Sequence, residues 1–165
     1  MFLPKDGRPF FWFRDVAWNL FQRLNREETE RYLENRSLKG FNAIQAVAFN
    51  GSGEKNAYGS EALLENNAGR PNVTAGNDFL KPGEYDYWDH IDWVADLAAK
   101  KGLYVAVVPV RGSSVKTKTL NLGNIETYAR GWPRGIRTNQ MCFRSAEGTS
   151  AAISALKSGK SWALC

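Results

Sequence analysis

Asp15 and Trp18 are the first residues whose types and spacing could do chemistry on a polar ligand. Asp15 closes the short aromatic run Pro9 to Asp15, which suits a buried strand, Trp18 follows three positions later, and Gln45 lies inside the apolar run Asn42 to Phe49. A carboxylate at the end of a strand can take or give a proton or bind a sugar hydroxyl, and an indole nearby can stack on the apolar face of a ring. The same residue types also serve structure: the aspartate as a helix cap or structural hydrogen bond, the tryptophan as core. His90, the single histidine, falls within Tyr85 to His90 on an expected helix, with no second histidine to share a metal, which favours a packing role. Glu84, Asp86 and Asp89 suit the first turn of that helix, where the dipole favours negative charge. Neither a Gly-x-Gly-x-x-Gly fingerprint nor a Walker loop occurs, so nucleotide chemistry has no support. No cofactor and no metal is expected.

The elements that must hold these residues are legible from patterning. Asn25 with Glu28 three residues on forms a capping box, which predicts a helix running to Lys39, and Gly40 stands where a left-handed residue is wanted. The run Asn42 to Phe49 reads as a strand covered on both faces. From Asn50 to Pro82 the chain is rich in Gly, Asn and Pro without a period, which predicts a long loop, and loops of that length in compact domains are usually functional or mobile. Helical spacing returns over Gly83 to Lys101, Gly102 ends it, and Leu103 to Val110 is another apolar strand. The order βαβαβ implies a parallel sheet, whose ligand site lies at the C-terminal ends of the strands. Those ends are Asp15, Gln45 through Asn50, and Pro109 through Ser113.

With 165 residues, 43% apolar and 24% charged, the chain has the composition of one globular domain. No run approaches the length of a membrane span, and residues 1–13 lack the pattern of a secretory signal, so the chain as written is expected to be cytoplasmic, while a longer parent would suit the periplasm or the exterior. The net charge of +5 is unevenly placed. Residues 1–130 carry 17 basic and 16 acidic side chains, whereas residues 131–165 carry 5 and 1, together with both cysteines, Cys142 and Cys165. A nucleic-acid binder would rest on that tail alone and lacks any recognised motif, so neither nucleic acid nor membrane is expected as a partner.

The segments Asp6 to Trp12, Asp15-Val16-Ala17-Trp18, Lys39 to Val47, Gly76-Asn77-Asp78-Phe79, Tyr87 to Asp92 and Lys101 to Tyr104 together make the first 130 residues resemble the apiosidase-like glycoside hydrolases, a family sometimes labelled collagen-binding. The resemblance implies the N-terminal portion of a (β/α)8 TIM barrel, an α/β fold. It also implies hydrolysis of glycosidic bonds in branched plant polysaccharide, and two acidic catalytic residues on later strands. It adds Asn77 and Asp78 to Asp15, Trp18 and Gln45 as residues for substrate contact. The partner implied is therefore a carbohydrate, and a carbohydrate- or matrix-binding module without catalysis is the alternative. Two departures fall at strand ends: Arg14 stands where the family tends to have Gly, and Arg111 where it tends to have Trp.

After Arg130 the resemblance stops abruptly, although the family continues with a helix and a strand ending in Gly-Gly-Asp. Reading from the third base of the Arg130 codon, the codons for residues 130–143 permit Trp-Leu-Ala-Glu-Arg-Tyr-Lys-Asp-Gln-Pro-Asn-Val-Phe. Three residues later the same frame permits Gly-Gly-Asp-Ile-Arg-Gly-Asp, and the codons of Leu156 to Ala163 permit Glu-Val-Trp-Lys-(Ile/Val)-Leu-Gly. At Trp132-Pro133, Met141-Cys142 and Trp162-Ala163 the code leaves no choice, forcing Ala, Val and Gly, and all three fit. The expected organisation is thus a partial catalytic barrel over 1–130 and a frameshifted tail over 131–165 that is not a domain. An open parallel sheet of about three strands would leave an edge and apolar faces uncovered, so weak or no cooperative unfolding is expected of such a chain. Resequencing the nucleotides around codon 130 is expected to restore the Gly-Gly-Asp frame; natural proteins sharing this tail would overturn the assignment.

Overall fold

The computed structural model describes residues 11–51, 53–129 and the backbone of 141–143. Four parallel strands lie in the order β1 (Arg14–Val16), β2 (Ala43–Val47), β3 (Tyr104–Val108) and β4 (Met141–Phe143). Helices fill the crossovers: α1 (Leu20–Arg23) and α2 (Arg26–Leu38) after β1, α3 (Tyr87–Lys100) after β2, and α4 (Gly112–Lys116) after β3, followed by a helical turn over 125–129. Arg14, Val16, Gln45 and Ala106 share one sheet face, because Val16 pairs with Gln45 and Gln45 with Ala106 in register. Ile44, Ala46, Val105 and Val107 take the other face, where they join Leu20, Phe21, Leu33, Ile91, Val94, Ala95 and Ala98 of the helices in one buried core. β2 is buried at all five positions, as a strand covered on both faces should be.

The helix boundaries follow from their caps. Asn25 Oδ1 accepts from the Glu28 amide at 2.9 Å while the Glu28 carboxylate accepts from the Asn25 amide at 3.0 Å, and α2 begins at the next residue. Gly40, at φ +80°, and Gly102, at φ +75°, supply the left-handed turns that end α2 and α3. α3 opens at Tyr87 rather than Gly83, because Asp86 takes the cap. Its Oδ1 accepts from the amides of Trp88 and Asp89, at 2.7 and 2.9 Å, and its Oδ2 from the Thr74 amide at 2.7 Å. One carboxylate thereby starts the helix and ties down the end of the preceding loop.

Two expectations are corrected here. The first strand is Arg14–Val16, not the buried Pro9 to Asp15, and residues 9 and 10 lie outside the described residues. Phe11 and Phe13 are 79% and 42% exposed, and the Asn42 side chain takes the Phe13 amide and the Phe11 carbonyl in place of a regular ladder. Phe13 instead stacks on Phe41 with centroids 4.4 Å apart. The sheet also has a fourth strand, from the tail: Met141, Cys142 and Phe143 pair with Val105, Ala106 and Val107. The loop over 50–82 is more ordered than its composition suggests, with antiparallel bridges Lys55 to Glu61 and Leu63 to Pro71.

Replacing the cap by Asp86→Ala should cost about 1 to 2 kcal/mol at the start of α3. Hydrogen exchange is expected to show roughly a tenfold loss of protection at the Trp88 and Asp89 amides, with those of Asn25 to Thr29 unchanged; equal losses at both helix starts would refute the local role.

Candidate functional site

Carbonyls at the C-terminal end of a parallel sheet run out of ladder partners, and buried ones must be satisfied by other donors. Tyr87 Oη donates to the Ala48 carbonyl at 2.6 Å, Gln22 Nε2 lies 3.2 Å from both the Val47 and Ala48 carbonyls, and Tyr128 Oη donates to the Pro109 carbonyl at 2.6 Å. Burial raises the phenol pKa of Tyr87 and of Tyr128, so both stay protonated donors. These bonds fix where the chain leaves β2 and β3. Asn50 and Arg111 emerge two residues beyond each anchor.

Asn50 is the hub of what gathers there. Its Nδ2 donates to Asn19 Oδ1 at 2.8 Å and to Glu54 Oε1 at 3.0 Å, and its amide donates to Glu54 Oε2. Its Oδ1 accepts from an Arg111 Nη at 3.2 Å. Every side-chain hydrogen-bonding direction of the Asn50 amide group is therefore used except one acceptor lone pair. The Arg111 guanidinium also lies over the Trp18 ring, 5.5 Å from its centroid. Trp18 is 39% exposed, so it is a surface residue rather than the core residue its type also allowed. The cluster of Trp18, Asn19, Asn50, Glu54 and Arg111 thus presents an indole, amides, one carboxylate and one cation at the strand ends.

The other sequence candidates lie apart from it. The Asp15 side chain turns to the helix face: its Oδ2 sits 2.6 Å from Arg36 Nε and accepts from Tyr32 Oη at 2.9 Å, both on α2. Burial raises the Tyr32 pKa, and the hydrogen bond and charge of Asp15 raise it further. That geometry is the structural hydrogen bond that an aspartate in this place also allows. Gln45 is 93% buried on the opposite face, and its Oε1 has no hydrogen-bond partner. Asp78 organises its own turn, accepting from the Leu80 amide at 3.0 Å with Lys81 Nζ at 4.0 Å, and Asn77 is exposed beside it. The neighbouring Phe79 joins Tyr85 and Trp93 around the Arg26 guanidinium, at 4.0, 4.7 and 4.7 Å. Sequence patterning pointed at the strand ends but not at Asn19 or Glu54, since both act from loops with no periodicity to mark them. The signal available was Arg111 itself, a cation at the end of an apolar strand.

Residues 1–131 match the family model described as apiosidase-like, catalytic domain. Among solved structures, one titled glycoside hydrolase is 30% identical with a TM-score of 0.70 and is matched by 92% of this chain over 33% of its own. A glycoside hydrolase family 5 protein from Bacteroides vulgatus ATCC 8482 is 25% identical with a TM-score of 0.72, over 93% of this chain and 32% of its own. The endo-1,4-beta-D-mannanase from Thermotoga petrophila RKU-1 shares the fold at 10% identity, with a TM-score of 0.54 over 89% of this chain and 49% of its own. No curated protein matches. The chain spans about a third of the length of the first two structures, and its architecture is the corresponding part of an α/β barrel.

His90 is fully buried between these elements. Its Nε2 faces the Leu24 carbonyl at 3.0 Å and must donate, which leaves Nδ1 to accept from Tyr85 Oη at 3.0 Å. Burial lowers its pKa from 6.5 to about 4; the Leu24 bond opposes this and the Arg26 charge adds to it. The same burial pushes the Tyr85 phenol up to about 12. A histidine lowered on folding takes up its proton more readily when unfolded, so its contribution is complete above pH 6.5 and is lost as pH falls through 4. That loss is on the order of 3 kcal/mol. Because His90 is the sole histidine, its imidazole resonances are expected to titrate near pH 4 by NMR; a midpoint near 6.5 would contradict this packing.

Proposed function

Since the chain belongs to the apiosidase-like catalytic-domain family, we propose that it supplies the first strands of a glycoside hydrolase barrel and, with them, part of the surface that holds a branched plant polysaccharide. The observation that carries the reading is the exposed indole of Trp18 set among Asn19, Asn50, Glu54 and Arg111 at the C-terminal strand ends. An aromatic face beside polar groups fits a sugar ring, which offers C–H bonds on its faces and hydroxyls at its rim.

Glycosidic hydrolysis takes two carboxyl groups: one protonates the leaving oxygen while the other attacks the anomeric carbon or draws a proton from water. Among the described residues the strand-end cluster holds one carboxylate, Glu54, and both of its oxygens accept from Asn50. Asp15 is engaged on the helix side. We therefore assign contact rather than catalysis to this part of the barrel, with the acidic pair on later strands. The tail is assigned to a shifted reading frame, which the end of the family match at residue 131 supports.

The test compares the 165-residue chain with a frame-restored version on a branched plant polysaccharide. No reducing sugar is expected from the former and steady release from the latter. Hydrolysis by the 165-residue chain would sink the assignment, and carbohydrate binding by both with hydrolysis by neither would favour the binding-module alternative.

A further inference from the structure

We propose that Asn50 is a self-modifying site, whose side-chain amide is lost by attack of the Gly51 backbone nitrogen in a reaction that its hydrogen-bond partners promote and that consumes only water. The reaction is independent of what the strand-end face binds. Asn50-Gly51 is the one Asn-Gly pair in the sequence. Among the described residues no acceptor takes the Gly51 amide hydrogen, and a side chain built at Gly51 would meet nothing within 4 Å beyond its chain neighbours. Glycine leaves that nitrogen unshielded and its backbone free to swing toward the preceding side chain.

Three groups bonded to Asn50 favour the step. An Arg111 Nη donates to Oδ1 at 3.2 Å, where negative charge builds as Cγ becomes tetrahedral. Ser113 Oγ donates to the Asn50 carbonyl at 3.4 Å, and polarising that carbonyl makes the N–H of the same peptide unit, that of Gly51, more acidic. Glu54 Oε1 accepts from Nδ2 at 3.0 Å and stabilises the protonated form in which that nitrogen leaves. The bond from Gly51 N to Asn50 Cγ forms and the Cγ–Nδ2 bond breaks. The proton given up by the Gly51 amide passes through water to Nδ2, which departs as ammonia. Water then opens the five-membered imide at either carbonyl, to aspartate or isoaspartate, with no change of oxidation state. The new carboxylate lowers the net charge of +5 by one and, as aspartate, meets Arg111 in an ion pair where a neutral hydrogen bond stood.

The test incubates the 165-residue chain near neutral pH and follows its peptides by mass spectrometry, with isoaspartate detected by enzymatic methylation. Asn50 is expected to show the mass gain of amide to acid before any other asparagine, and about tenfold faster than in the same chain unfolded in guanidinium chloride. Gly51→Ala, which the open space and the ordinary backbone at position 51 accommodate, should slow the loss about tenfold. Arg111→Ala should slow it severalfold, and the His90 ring signal reports whether each variant keeps the fold. A rate in the folded chain equal to or below that of the unfolded one would overturn the proposal, as would earlier loss at another asparagine. An undiminished rate in either folded variant would overturn it too.

Discussion

The carbonyls at the ends of β2 and β3, buried at Ala48 and half-buried at Pro109, are the constraint on which the strand-end face depends. A parallel strand that stops pairing while still inside the protein leaves acceptors with no water to satisfy them. Tyr87 and Gln22 reach Ala48, and Tyr128 reaches Pro109, each from a helical segment packed behind the sheet. Helix packing and loop geometry are therefore one problem. A shift of α3 would unseat Tyr87 and, with it, the point from which Asn50 departs. Because Tyr87 is both a core residue and a donor, the apolar and polar demands meet in one side chain.

The division between the two sheet faces separates carboxylates that look alike in sequence. Asp15 alternates onto the face that carries Ile44 and Val105, so its charge must be met by α2, and Arg36 and Tyr32 meet it. Glu54 comes from a loop above the strands, where amides of Asn50 hold it without cancelling its charge. A carboxylate in an ion pair with arginine has its lone pairs committed, whereas one held only by amide donors keeps its full charge. The two carboxylates therefore differ in surroundings: Asp15 is ion-paired on the helix side of the sheet, and Glu54 is held by amides at the strand ends.

Much of this scaffold was legible in the residues because local rules and tertiary demands agree. The Asn25–Glu28 capping box, the left-handed glycines at 40 and 102, and the β-branched run of β3 each admit few alternatives. The first strand was misplaced because an aromatic run signals burial, while Phe11 and Phe13 lie on an exposed edge where Asn42 does the pairing. The strand-end cluster was half legible: strand order pointed to Asn50 and Arg111, but Asn19 and Glu54 depend on how loops fold back, which no period records. Met141–Phe143 was not expected as a strand because its surroundings differ in charge and cysteine content from the rest. A three-residue parallel strand asks little of sequence, however: either reading of codons 140–143, Gln-Met-Cys-Phe or Asn-Val-Phe, offers an apolar segment to pair with β3.

An arginine at a strand end, where the resemblance implies tryptophan, has a physical logic of its own. Two indoles facing one another across a cleft make a surface on which any apolar ring face can rest, with selectivity left to hydroxyl contacts at the rim. One indole and one guanidinium make a surface that is already self-paired when empty, since the cation finds a partner in the remaining ring. Such a pair covers part of the indole and still leaves Trp18 39% exposed. Asn50 suits that arrangement because a neutral amide can orient the arginine without consuming its charge, which an aspartate in that place would do.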